Sequence, residues 1–129
     1  MMASAALLVV WSGAGWLVFA GLICAVCPER ARTGLAAMGS NWTVQLGEHI
    51  PRAIVGLAMV LRAPLSKYPA MFEGAGWFIL ATSVLILMVP MRWHNSYAVW
   101  WARRIPLWLY RILCAPTLAM AALLAYVAW

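Results

Sequence analysis

The sequence predicts an all-α integral membrane protein. It should have four transmembrane helices, built as two similar helix hairpins, with in-plane amphipathic cytoplasmic loops. Three observations predict this. The first is composition: 67% of the 129 residues are apolar and 9% are charged, against about 25% charged in a soluble domain. The three acids are all glutamate, and so little polar surface cannot cover a globule in water. The second is an internal repeat within a single membrane domain (1–129), over 13–65 and 74–129. Gly13-Ala14-Gly15-Trp16 opens an apolar run that stops at Pro28, and Gly74-Ala75-Gly76-Trp77 opens another that stops at Pro90. Behind each proline come a basic segment (from Arg30, from Arg92) and a second apolar run starting near an arginine (Arg52, Arg111). The third is the uneven spread of the nine Lys and Arg.

The first span is Leu7 to Cys27, 21 residues. At ~1.5 Å per residue that is about 32 Å, enough for a ~30 Å hydrocarbon core. The N-terminus before it carries no basic residue, unlike a secretory signal, so it reads as a retained helix. Ser12, Gly13, Gly15, Ala20 and Gly21 allow close approach of a neighbouring helix. Pro28 ends the span, because the residue before proline avoids the α region.

The first loop follows. Arg30, Arg32, Leu35, Met38 and Trp42 suit a short segment in the head-group plane. Gly39-Ser40-Asn41 is a break, and Asn41 is placed to cap the next helix. Asn41-Trp42-Thr43 matches a glycosylation sequon, discounted because this loop reads as cytoplasmic.

The second span is the weakest, with nine uncharged residues between Arg52 and Arg62. Either both arginines snorkel to opposite interfaces, or the helix starts near Asn41. In the second case Gln45, Glu48, His49 and Arg52 share a face, and Glu48 with Arg52 makes an i,i+4 pair in the favourable order. Pro51 then kinks the helix or marks its true start. Leu65 to Phe72 reads as a turn. The third span runs from about Gly74 to Met91, punctuated by Pro90.

The third loop, Arg92 to Pro106, is the most distinctive. If helical, it places Trp93, Tyr97, Trp100 and Trp101 near one face. Trp and Tyr favour the membrane interface, and arginine favours anionic head groups. Arg92, Arg103 and Arg104 complete this expected lipid-interface set. The fourth span is Leu107 to Ala128, with Arg111 one turn inside and Pro116 as a kink.

Seven of the nine cations (Arg30, Arg32, Arg52, Arg92, Arg103, Arg104, Arg111) fall in the first and third loops or beside them. Only Arg62 and Lys67 lie in the middle loop. The positive-inside bias therefore places loops 28–52 and 92–106 in the cytoplasm and both termini outside.

These features resemble small bacterial inner-membrane proteins catalogued as domains of unknown function. Gly15 to Leu61 is similar to their two-helix form. Gly76 to Tyr126, with Pro90-Met91-Arg92-Trp93-His94 and Trp100-Trp101-Ala102-Arg103-Arg104, is similar to the second half of a four-helix version. The resemblance implies the fold and the location, and no activity, cofactor or site residue.

Candidate chemistry is sparse. Cys24 and Cys27 are spaced to share a helix face, where two thiols can hold a soft metal ion. Four-helix mercury-uptake proteins also carry a cysteine pair in their first helix. Packing is the competing account, since Cys114 is alone and no second pair follows. Glu48, His49 and Arg52, with Arg111 as a partner from the other repeat, form the only acid-bearing cluster near a span. An ion pair of Glu48, Arg52 and Arg111 pinning the two hairpins is expected, with a proton or anion path as the sharper alternative. Trp16 and Trp77, at matching points of the repeats, are expected to pack between the hairpins. Enzymatic function is not expected. The chain has no Asp, and its two histidines sit far apart in sequence without metal-ligand spacing. No nucleic-acid module is present.

The reading that follows is a non-enzymatic accessory or structural subunit of a larger membrane complex, without cofactor. Its expected partners are anionic lipid head groups and other membrane subunits or copies of itself. The alternatives are a small transporter of a metal ion (Cys24, Cys27), proton or anion, and an anionic-lipid-binding module.

Overall fold

The computed structural model describes all 129 residues, and every regular element is a helix. In chain order these are α1 (Met2–Val26), α2 (Pro28–Ala37), α3 (Trp42–Arg62), α4 (Pro69–Met88), α5 (Met91–Arg104), α6 (Leu107–Ile112) and α7 (Cys114–Ala128). A single 3-10 turn, Ala63–Leu65, follows α3. Three helices are long and apolar enough to cross a membrane: α1, α4 and the combined α6–α7.

The boundaries follow from local chemistry. Pro28 begins α2 directly after Cys27, as suits a residue whose missing N–H is an orphan at a first turn anyway. Asn41 caps α3, its side-chain oxygen accepting from Val44 N at 3.0 Å. The helix then continues through Pro51, so it starts near Asn41 and Pro51 lies inside it. Pro69 opens α4, five residues before the expected start at Gly74. The turn is therefore 63–68, and Phe72 belongs to the helix and to the core. The fourth expected span breaks at Leu113, ahead of Pro116, because that proline cannot donate the i→i−4 bond and its ring crowds the carbonyl.

The packing pairs helices across the two halves of the chain. α3 lies along α4 and α1 along α7, while α1 also meets α3. The α3–α4 contact is close because two glycines face each other. A Cβ on Gly56 would come within 2.9 Å of the Gly76 carbonyl oxygen, and one on Gly76 within 2.8 Å of the Gly56 carbonyl oxygen. α2 and α5 pack on each other where α1 and α4 end. α4 and α7 leave between them an apolar cleft of about 280 Å³, lined by Met71, Phe72, Ala75, Met120, Leu123 and neighbours.

Only 21 of the 129 residues are buried, while large apolar side chains cover the outside. The apolar core (Ala6, Val10, Ala58, Met59, Ala63, Phe72, Val127, Ala128) gathers at one end of the bundle. α3 shows the inverted arrangement in detail. Leu46, Ile50, Ile54, Leu57 and Leu61, spaced by three and four, face outward, and Gln45 and His49 face inward. That distribution is opposite to a water-exposed helix and suits a helix with lipid on its outer face.

Candidate functional site

The polar side chains of the interior collect at the end opposite the apolar core. α3 brings Gln45, Glu48, His49 and Arg52 there; α5 brings His94 and Asn95. Three features hold the junction. Gly39, between α2 and α3, has φ +69° and fits directly against α5. A Cβ there would sit 2.8 Å from His94 Nδ1. Asn95 Nδ2 donates to the Ala36 and Met38 carbonyls at 3.0 and 2.8 Å, which ties the end of α2 to α5. Gln45 Nε2 donates to the Ile86 carbonyl in the last turn of α4 at 3.2 Å.

The Gln45 bond fixes the chemistry of His94. An amide donates only through its nitrogen, so Gln45 Oε1 is the acceptor left over. His94 Nδ1 lies 2.8 Å from that oxygen, and it must carry the proton. The lone pair of the ring is then on Nε2.

His49 is the unusual member. It is 1% exposed, and neither ring nitrogen has a hydrogen-bond partner within the protein. A buried polar group without a partner costs roughly 1–3 kcal/mol. Its ring centroid is 5.4 Å from that of His94, and its Nε2 is 3.8 Å from Glu48 Oε1. Glu48 Oε2 is also buried and unpartnered. One ligand-type atom from each of Glu48, His49 and His94 lies within 4.8 Å of the others, and this is the only such trio in the chain.

The expected ion-pair cluster is therefore rebuilt. Glu48 does not pair with Arg52; Arg52 instead donates to Thr82 Oγ1 on α4 at 3.0 Å. Arg111 is exposed on α6 and joins neither. Glu48 approaches His49, its chain neighbour, and His94 takes the place expected of Arg111. The two histidines, 45 positions apart in the sequence, are thus brought together by the fold.

The other expected residues are placed as follows. Cys24 and Cys27 are free and half-buried, as is Cys114, and the three do not form a trio of metal-ligand spacing. Trp16 and Trp77 are 66% and 52% exposed, so they point outward rather than between hairpins. The repeat motif is used differently in its two copies, since Gly76 makes the close helix contact and Gly15 meets nothing. Trp93, Tyr97, Trp100 and Trp101 are exposed together on α5, with Ala98 and Ala102 on the buried side. Tyr97 and Trp100 both pack edge-on to Trp101, and the Arg104 guanidinium lies 4.0 Å from the centre of the Trp100 ring. Asn95, Ser96, Trp100, Arg103 and Arg104 border an open cleft of about 450 Å³ beside this surface. Arg92 is exposed at the start of α5. None of the nine Lys and Arg side chains forms a salt bridge with a carboxylate.

A second polar contact has no signal in the local sequence. Arg32 on α2 reaches across to donate to the Ile105 carbonyl at 3.4 Å and lies 6.0 Å over the buried Tyr110 ring. No family model, curated protein or solved structure matches the chain.

Proposed function

We propose that this chain is a non-enzymatic integral membrane protein of the bacterial inner membrane, acting as an accessory or structural subunit of a larger membrane complex. The observation that carries this reading lies on α7. Ala115, Ala119 and Ala122 recur at i, i+4 and i+7 and are all exposed, so a face suited to close helix packing is unused within the chain. Gly15 on α1 and Gly74 on α4 likewise meet nothing.

In this reading α3 is the fourth membrane-crossing helix. Its 21 residues span about 32 Å at ~1.5 Å per residue, and its outward stripe is apolar throughout. α2 and α5 lie in the cytoplasmic head-group plane, with unpaired arginines and exposed tryptophans toward anionic lipid. The two halves derive from one duplicated hairpin. Aligning Arg30 with Arg92 puts Arg32 opposite His94, and each of these reaches from its own short helix into the other half.

A second reading, a small transporter of a metal ion, proton or anion, draws on the buried polar cluster around His49. Against it stands the apolar core of Ala6, Val10, Met59, Phe72 and Val127, which offers no polar relay onward from that cluster.

Mild-detergent purification followed by native mass measurement tests the subunit reading. A co-purifying membrane protein at fixed stoichiometry is expected, lost in Ala119→Phe while the variant remains folded. A lone chain, or a complex indifferent to Ala119→Phe, rejects it.

A further inference from the structure

We propose that Glu48, His49 and His94 form a binding site for one divalent transition-metal ion of the Zn²⁺/Co²⁺ class, which clamps α5 onto α3. Four observations converge on it. The trio offers two imidazoles and a carboxylate, a donor set suited to borderline divalent ions. Their ligand-type atoms already lie within 4.8 Å of one another, so modest side-chain rotation brings them to the ~3.3 Å separations that Zn–N and Zn–O bonds of about 2.0–2.1 Å imply. His49 is buried with both ring nitrogens unpartnered, and Glu48 Oε2 is buried and unpartnered beside it. An ion satisfies a lone pair on each.

The fourth observation is the orientation of His94. Metal-bound histidines characteristically donate their other ring N–H to an oxygen, which fixes the tautomer. His94 does so at Nδ1 to Gln45 Oε1, and Gln45 is itself held by the Ile86 carbonyl. Gln45 is 0% exposed, so this support is rigid. The Glu48 side chain, 27% exposed, gives the ion a way in and leaves room for a water ligand. Arg52, one turn further along α3, carries the nearest like charge to the ion on that helix, and its bond to Thr82 holds it toward α4.

The site differs from the cysteine pair in ligand type, in the helices it joins and in what it predicts. Co²⁺ titration of the purified full chain in detergent, followed by its visible d–d absorption and by competition with Zn²⁺, reads it directly. One Co²⁺ per chain is expected. His94→Gln should abolish the band, and Glu48→Gln should weaken binding at least about tenfold. The double variant Cys24→Ser with Cys27→Ser should leave both stoichiometry and affinity unchanged. X-ray absorption at the zinc edge of the wild-type protein needs no variant to fold, and should report nitrogen and oxygen neighbours only. The proposal is overturned by absence of saturable one-to-one binding, by binding that survives His94→Gln, by loss of binding with the cysteines, or by a sulfur shell around zinc.

Discussion

At the scale of single residues, glycines decide where this chain can close. Gly39 has a positive φ, which costs a residue with a Cβ about 1–2 kcal/mol, and the Cβ would also press on His94 and the Asn95 amide. Gly34, inside α2, meets nothing within 4 Å, and there alanine gains roughly 0.5–1 kcal/mol of helix propensity. Thermal unfolding in detergent should therefore separate the two: Gly39→Ala melts lower than wild type and Gly34→Ala slightly higher. Equal melting points would remove the Gly39 contact from the account. Part of the candidate site is legible in the sequence at this scale, since helical spacing alone puts Gln45, Glu48, His49 and Arg52 on one face. His94 is not legible, because its partner lies on another helix and nothing local in Arg92-Trp93-His94-Asn95 marks it as inward. Only the alignment of the halves, which sets it opposite Arg32, hints that this position reaches across.

At the scale of elements, the proline and asparagine signals tell most. Pro28, Pro90, Pro116 and Asn41 each stand where a helix starts, ends or breaks. Average hydropathy merges the two faces of α3, whereas the polar residues are turned inward and the apolar stripe outward. Trp16 and Trp77 defy the expected inward packing for a related reason. In lipid a large aromatic gains nothing by leaving the outer surface, so the small residues take the interior. The end of α7 shows a contact no periodicity could reveal. Lys67 N donates to the Val127 carbonyl at 3.0 Å, Lys67 Nζ to that of Tyr126 at 3.1 Å and Arg62 Nε to that of Ala128 at 3.0 Å. Two cations thus satisfy carbonyls at the negative end of a helix dipole. Replacing both, as Arg62→Gln with Lys67→Gln, should cost about 1–2 kcal/mol. It should also speed amide exchange in the last turn of α7 relative to its middle. Unchanged exchange there would show these bonds contribute nothing.

At the scale of the whole molecule, the two ends of the bundle differ in kind, and the proposed orientation draws on that difference. One end is sealed by an apolar core and carries only Arg62 and Lys67, both already engaged with the carbonyls of α7. The other end carries α2 and α5 with Arg30, Arg92, Arg103 and Arg104, whose side chains make no hydrogen bond or salt bridge within the protein, Arg104 lying over the Trp100 ring. Free cations are the ones available to anionic head groups, each worth about 1 kcal/mol near such a surface. Arg32 and Arg52 are engaged as well as Arg62 and Lys67, so the side chains without a hydrogen bond are Arg30, Arg92, Arg103, Arg104 and Arg111 on one side and none on the other. The expected arrangement has α2 and α5 in the cytoplasm and both termini outside. An alkaline phosphatase fused after Ala128 should then be active and one fused after Arg104 inactive, with a fluorescent reporter giving the reverse. Opposite results at both positions would invert the orientation. Activity of the phosphatase at both would place residues 105–128 wholly outside, and the reading of α6–α7 as a crossing helix would fall with it.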